Sequence, residues 1–391
     1  MEFLPIIKLA GVFCVIIAVL WMKKPLYAAL TCGIIAVVLL YQIAPLEVLG
    51  IFKDTITSWT NISVLLVFYS ITFLQRMLEK RKQILHAYQD LDHIFHSRRV
   101  NATVAALFIG LLPTAAATML CGDIVKEASK GYLDKKEQAF VTSWFRHIPE
   151  AALPTYTSVL LMSGITGIAV SDFMLGMLLP MLVLFLLAYI PYVRKIPKRG
   201  DTICETEEEP SKESGLKKLL SLLRHLWTLF AILFLILALG FSVLPAVLIV
   251  IVLAVPVYRF KWAELRPMFR DAVEVKLLVG TALVLTLKEF VSFTGVLSLL
   301  PEFFGQLPIP LFLVFALLFF FGTLISGTNG IIALGGPIAF AAMPQGGLPL
   351  MILLMGICHV ANQVSPTHVC LVVATEYFGV TFGDLVKKTL P

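Results

Sequence analysis

Charge is scarce in this sequence: 14% of its 391 residues are charged, where a soluble domain carries about a quarter. With 59% of residues hydrophobic, a water-soluble globule is excluded. The six cysteines, Cys14, Cys32, Cys121, Cys204, Cys358 and Cys370, form no CxxC pair and have no His/Cys ligand spacing around them. Neither a disulfide framework nor a zinc site is indicated, and they read as small apolar fillers. The glycine-rich phosphate loop ending in Gly-Lys-Ser/Thr is missing, so an ATP-driven pump would need its motor from another chain. His147-Ile-Pro-Glu150 is HxxE rather than HExxH and fixes no third ligand, which argues against an intramembrane enzyme and a resident metal. The formal charge of +6 has no soluble basic domain to hold it, so nucleic acid is not expected as a partner. The excess of cations at the inner ends of membrane helices explains it better.

What the chain has in quantity is apolar stretches near the ~20 residues that cross a bilayer. They lie at 4–22, 25–44, 61–80, 101–125, 138–167, 171–193, 219–241, 242–257, 275–295, 308–343 and 350–375. The first lacks a basic leader and a cleavage site, and reads as a retained helix. The stretch at 101–125 breaks at Pro113-Thr114, leaving arms of about 12 residues, near 18 Å each at about 1.5 Å per residue and too short to span ~30 Å. It is expected to enter and leave on one side. The stretch at 308–343 breaks at Ser326-Gly327-Thr328-Asn329-Gly330 and reads the same way.

With both hairpins returning to their own side, nine crossings result. The face reached after the first helix then receives 26 of the 31 lysines and arginines. The expectation is an all-α polytopic protein of the cytoplasmic (inner) membrane, multi-pass, with its N-terminus outside and its C-terminus inside.

The chain also aligns with itself. At an offset of 212 residues both hairpin tips fall in register, and His147, Pro154, Thr155, Gly167 and Asp172 meet His359, Pro366, Thr367, Gly379 and Asp384. Glu47 and Phe52-Lys53-Asp54 answer Glu264 and Phe269-Arg270-Asp271 at an offset of 217, and a five-residue indel explains the change. An odd number of crossings per unit makes the copies inverted. The expected organisation is a first inverted repeat over 1–193, a charged, Pro- and Ser-rich cytoplasmic linker over 194–218, and a second repeat over 219–391 in which helix 171–193 has no partner. Each repeat carries a re-entrant hairpin and a broken helix.

In lipid an unpaired backbone group costs several kcal/mol, so broken helices persist only where protein buries them or they line a cavity. Breaks at 113–118, 149–155, 326–330 and 362–367 therefore predict one site. Half-helix N-termini favour anions, and C-terminal carbonyls favour Na⁺. The candidates for holding a small solute are Thr114, Thr118, Thr155, Ser326, Gly327, Thr328, Asn329, Gly330, Asn362, Ser365 and Thr367; those for ion coupling are Glu150, Asn329, Asn362 and Gln363. Glu150 carries a proton, binds Na⁺, or pairs with Arg146 or His147, and these alternatives stay open. His147 and His359 read as marking the start of each break by bonding backbone. His368 is a lesser proton-carrier candidate, and Asp123 is a cation ligand or a partner of Lys126.

These features resemble the ion-transporter superfamily, which includes divalent-anion/sodium symporters, gluconate and citrate permeases and some sodium/proton antiporters. Within it the chain is similar to uncharacterised bacterial and archaeal integral membrane proteins. The tip SGTNG at 326–330 looks like the Ser/Asn/Thr-bearing tips of the anion symporters, while PTAAAT at 113–118 is a degenerate partner lacking the Asn. The resemblance implies an elevator-type fold, with hairpins and broken helices sliding against a scaffold of helices 4–22, 25–44, 219–241 and 242–257, and a homodimer through that scaffold. The function expected is secondary active transport of a small organic anion of the carboxylate type, coupled to Na⁺ or H⁺ with no other cofactor. A cation/proton antiporter on the same fold is the alternative.

Overall fold

The computed structural model describes residues 4–22, 24–83, 86, 97–110, 115–197, 215–306, 308–365 and 368–390. Among these the regular structure is entirely helical. Leu4–Trp21 and Trp59–Lys80 are long and apolar enough to cross a membrane, and shorter apolar helices include Leu26–Tyr41, Val243–Val257 and Gly347–Asn362. Large apolar side chains on these helices face outward, such as Ile7, Leu39, Val252 and Val360. Water would penalise such a surface, whereas hydrocarbon does not.

Leu4–Trp21 packs on Leu26–Tyr41, and Gly215–Leu237 on Val243–Val257. The two pairs are joined crosswise: Val275–Phe293 lies against Leu26–Tyr41, and Trp59–Lys80 against Val243–Val257. Pro45–Thr57 and Trp262–Asp271, the amphipathic helices, rest on Val275–Phe293 and Trp59–Lys80 respectively. Arg81 holds Glu264 with both terminal nitrogens at 2.9 Å. Its guanidinium also sits 4.0 Å over the Phe260 ring, so one side chain ties the end of Trp59–Lys80 to the amphipathic helix Trp262–Asp271.

The apolar stretch Leu311–Ala342 is 32 residues long, but it is not one rod. Gly327 has φ 73° and ψ 167°, a conformation essentially reserved for glycine. A Cβ on Gly322 would lie 2.4 Å from Ile331 Cδ1, and one on Gly335 would lie 2.9 Å from Phe319 Cε2. In a straight helix, residues 322 and 331 would stand about 13 Å apart at about 1.5 Å per residue. The chain therefore doubles back at Gly327, as the SGTNG run predicts. Nearer the N-terminus, Ala115–Ala128 packs against Ala106–Ile109 and the π-helical turn Asn101–Ala105. The expected tip at Pro113-Thr114 lies outside the described residues.

The two remaining helices are interrupted. Lys135–His147 gives way to a 3-10 turn, Pro149–Ala151, and the chain resumes as Thr157–Thr166; Pro149 and Pro154 remove the donors that a continuous helix would need. Gly347–Asn362 likewise stops, and Val369–Phe378 follows. Thr157–Thr166 and Val369–Phe378 begin 212 residues apart, and each ends on a left-handed glycine, Gly167 and Gly379. The stretch read as one helix over 171–193 divides at Met177 into Val170–Gly176 and Leu178–Tyr189. The first piece turns 116° away from Thr157–Thr166 and corresponds in position to Phe382–Thr389.

The main core joins both helix pairs to the second hairpin through Ile16, Leu30, Met162, Phe290, Phe315 and Phe319. A second core gathers the first hairpin, the first broken helix and the C-terminal helices around Phe140, Trp144, Phe145, Phe378 and Leu385.

Candidate functional site

A cavity of about 300 Å³ opens where the second hairpin tip meets both interrupted helices. Ser326, Gly327, Thr328, Asn329 and Gly330 supply one wall; Glu150, Tyr156, Thr157 and Ser158 the next; Asn362 and His368 the third; and Leu26 closes an edge. Three helix starts meet here. Thr157 and Ser158 open Thr157–Thr166, Thr328 follows the break at Gly327, and His368 precedes Val369–Phe378. Neither Tyr156 nor His368, the residues in the cap positions, caps its helix with a side chain. No cap side chain takes the first-turn N–H groups, although Leu371 N–H reaches the His368 carbonyl at 3.0 Å, and the helix dipoles favour a negative guest.

The polar lining is held by cross-ties. Asn362 Nδ2 donates to Thr328 Oγ1 at 2.7 Å, joining the second broken helix to the hairpin tip. Tyr156 donates its hydroxyl to the Gly110 carbonyl, which carries the first hairpin into the same neighbourhood. Asn329 Oδ1 is buried and has no hydrogen-bond partner among the described residues. An unpaired buried acceptor is costly unless a ligand, ion or water supplies the donor.

Behind the cavity lies a buried cluster. Arg146 and His147 are each 2% exposed, and Arg146 Nη1 reaches His147 Nε2 at 3.1 Å. His368 Nε2 approaches the same nitrogen at 2.9 Å, and Glu150 Oε2 stands 3.9 Å from it. Cys370 Sγ completes a group in which the His147, His368 and Cys370 ligand atoms all fall within 4.8 Å of one another. The set is a poor fit for a metal ion, because the Arg146 guanidinium stands 3.1 Å from His147 Nε2 and its charge opposes a cation.

Of the residues singled out from sequence, Glu150, Ser326, Gly327, Thr328, Asn329, Gly330 and Asn362 come together on this cavity. Thr155 does not. It lines a separate, mostly apolar cavity of about 40 Å³ with Ile71, Leu74, Leu226 and Ile232. Thr118 is buried in the first hairpin with its hydroxyl unpartnered among the described residues. Gln363 turns to His359, Nε2 to Nε2 at 3.4 Å, and Ser365 is buried; neither lines the cavity. Asp123 accepts a hydrogen bond from the Tyr377 hydroxyl. Thr114 and Thr367 lie outside the described residues. Sequence reasoning passed over Tyr156, Ser158 and the contact between His147 and His368. The one available signal was that Tyr156 and His368 stand 212 residues apart at equivalent helix starts.

Fold and site together define an all-helical membrane protein with a polar cavity among broken helices. The chain belongs to the family described as "Protein of unknown function (DUF401)", which matches residues 6–391. No curated protein matches the chain.

Proposed function

We propose that this protein is a secondary active transporter that moves a small organic anion of the carboxylate type across the cytoplasmic membrane, coupled to Na⁺ or H⁺. The observation that carries the reading is the convergence of three helix starts, two of them without a side-chain cap, on one 300 Å³ cavity. Such ends favour anions, and the volume suits a solute of a few heavy atoms. Glu150 is the lining carboxylate. An anion beside it requires a neutralising cation, and that requirement is the origin of coupling.

The proposal extends to architecture. Residues 1–193 and 219–391 are two inverted repeats, and the matched helix starts, the left-handed glycines and the crosswise packing support it. The N-terminus lies outside and the C-terminus inside. The hairpins and broken helices move as an elevator against the paired helices, in a homodimer. The resemblance to the ion-transporter superfamily favours this over an enzyme.

Uptake of acetate, lactate, succinate and citrate into proteoliposomes under separate Na⁺ and H⁺ gradients tests it. The expected result is accumulation of at least one of them driven by one gradient. No gradient-driven flux of any organic acid removes the symporter reading, and cation-for-proton exchange alone moves it to an antiporter.

A further inference from the structure

The contact between His147 and His368 joins residues 221 positions apart, one at the end of Lys135–His147 and the other at the start of Val369–Phe378. Their rings stand 4.8 Å apart, edge to face at 71°. Hydrogen bonding fixes where the hydrogens sit. His147 Nδ1 is 2.6 Å from the Ser143 carbonyl, which only accepts, so Nδ1 carries the hydrogen and Nε2 presents a lone pair. Arg146 Nη1 at 3.1 Å and His368 Nε2 at 2.9 Å both approach that lone pair. Arg146 can only donate, and His368 must then donate through Nε2. His368 Nδ1 has no hydrogen-bond partner among the described residues, and His368 lines the cavity.

Charge counting gives this nitrogen a task. Among the described residues, the groups facing His368 are Arg146 and His147 from the first broken helix, Glu150 from the 3-10 turn, Tyr156 from the next helix start, His359 from Gly347–Asn362, and Cys370 from its own helix. Arg146 and ionised Glu150 cancel, and both imidazoles as bonded are neutral. A monoanion entering the cavity leaves one uncompensated negative charge beside the buried Arg146–His147 cluster.

We propose that the coupling ion is a proton taken up at His368 Nδ1 as the anion binds, with His147 as the positioning residue that holds His368 in its Nε2–H form. This rests on the transporter reading above and narrows it to electroneutral symport, one proton with each monoanion. The balance is simple: the proton comes from the aqueous side the cavity faces, an N–H bond forms at Nδ1, and the same bond breaks on release with the anion at the other side. An imidazole nitrogen is also a poor ligand for Na⁺, which prefers oxygen.

Two measurements test it. In the first, full-length protein labelled with ¹⁵N-histidine in lipid nanodiscs is titrated by NMR with and without saturating acetate or lactate. One histidine should gain hydrogens on both nitrogens while its partner stays Nδ1–H. Its midpoint should rise when a transported acid is added, and the signal should vanish in His368→Gln. In the second, His368→Gln in proteoliposomes should lose accumulation driven by a pH gradient, while its remaining exchange slows and no longer varies with pH. His147→Gln should shift the pH profile without abolishing it.

A His147–His368 pair that takes up no proton at any pH where the protein stays folded overturns the proposal. So does His368→Gln with wild-type pH-driven accumulation. A pair that titrates in a protein moving none of the acids supports the protonation site and removes the anion-transport reading instead. The NMR titration uses the native chain, so misfolding of a variant does not blunt the test.

Discussion

Replacing Glu150 by Gln removes a negative charge from the cavity wall and keeps the side chain's shape. A 300 Å³ cavity treated as a sphere has a radius of about 4 Å, which places a bound anion about 6 Å from the carboxylate, and at an effective dielectric of about 20 the repulsion is about 3 kcal/mol. That corresponds to about 100-fold in dissociation constant. In the variant the Arg146 charge takes the place of the coupling cation, so the anion binds without one. Isothermal titration of purified protein with a transported acid should show about 100-fold tighter binding at high pH, with the pH or Na⁺ dependence gone. Proteoliposomes should exchange the acid but no longer accumulate it. Unchanged affinity together with unchanged cation dependence would refute the placement of Glu150 beside the bound anion, provided the variant runs as a single peak on size exclusion.

Asn329→Ala separates ligand binding from stability. The buried Oδ1 has no described partner in the protein, so its loss should leave the unfolding midpoint nearly unchanged while weakening ligand binding by about 1 kcal/mol, the worth of one hydrogen bond; a large fall in stability with intact affinity contradicts the assignment. Gly327→Ala, at φ 73°, should cost about 1–3 kcal/mol through backbone strain at the hairpin tip, seen as a lower midpoint in thermal unfolding.

Acid should loosen two surface ties. The hydrogen bonds from Arg81 hold the Glu264 carboxyl at about 2, well below its ordinary 4.5, and the Lys136 hydrogen bond holds Asp384 at about 2 against 3.8. Both folded values are depressed, so the stabilisation is present above the ordinary carboxylate range and is lost as pH falls from about 4.5 through about 2. Unfolding midpoints measured through that window should drop less in the Glu264→Gln/Asp384→Asn double variant than in the native protein.

Much of the fold was legible because the signals were local. The run SGTNG signals a tip because it groups residues that weaken a helix, and Gly327 is the one that takes a conformation open essentially to glycine. Pro149 and Pro154 interrupt a helix by removing donors. Other readings needed neighbours. Thr155 sits one residue from the cavity wall formed by Tyr156, yet lines a different cavity. Around a broken helix the direction of each side chain depends on local dihedral angles that spacing does not encode. The stretch over 171–193 passed as one apolar helix because it is apolar almost throughout, although Gly176 and Pro180, whose missing N–H would have faced the Gly176 carbonyl, flank its division at Met177.

By itself the sequence determined that the chain is helical and suited to a membrane, and several of the breaks in its helices, because composition and chain-breaking residues act over a few positions. Only the tertiary structure decided that His147 would meet His368, that Arg146 would lie buried beside both, and that three helix starts would share one cavity. Those are distances between segments some two hundred residues apart, set by how whole helices pack, and no local rule contains them.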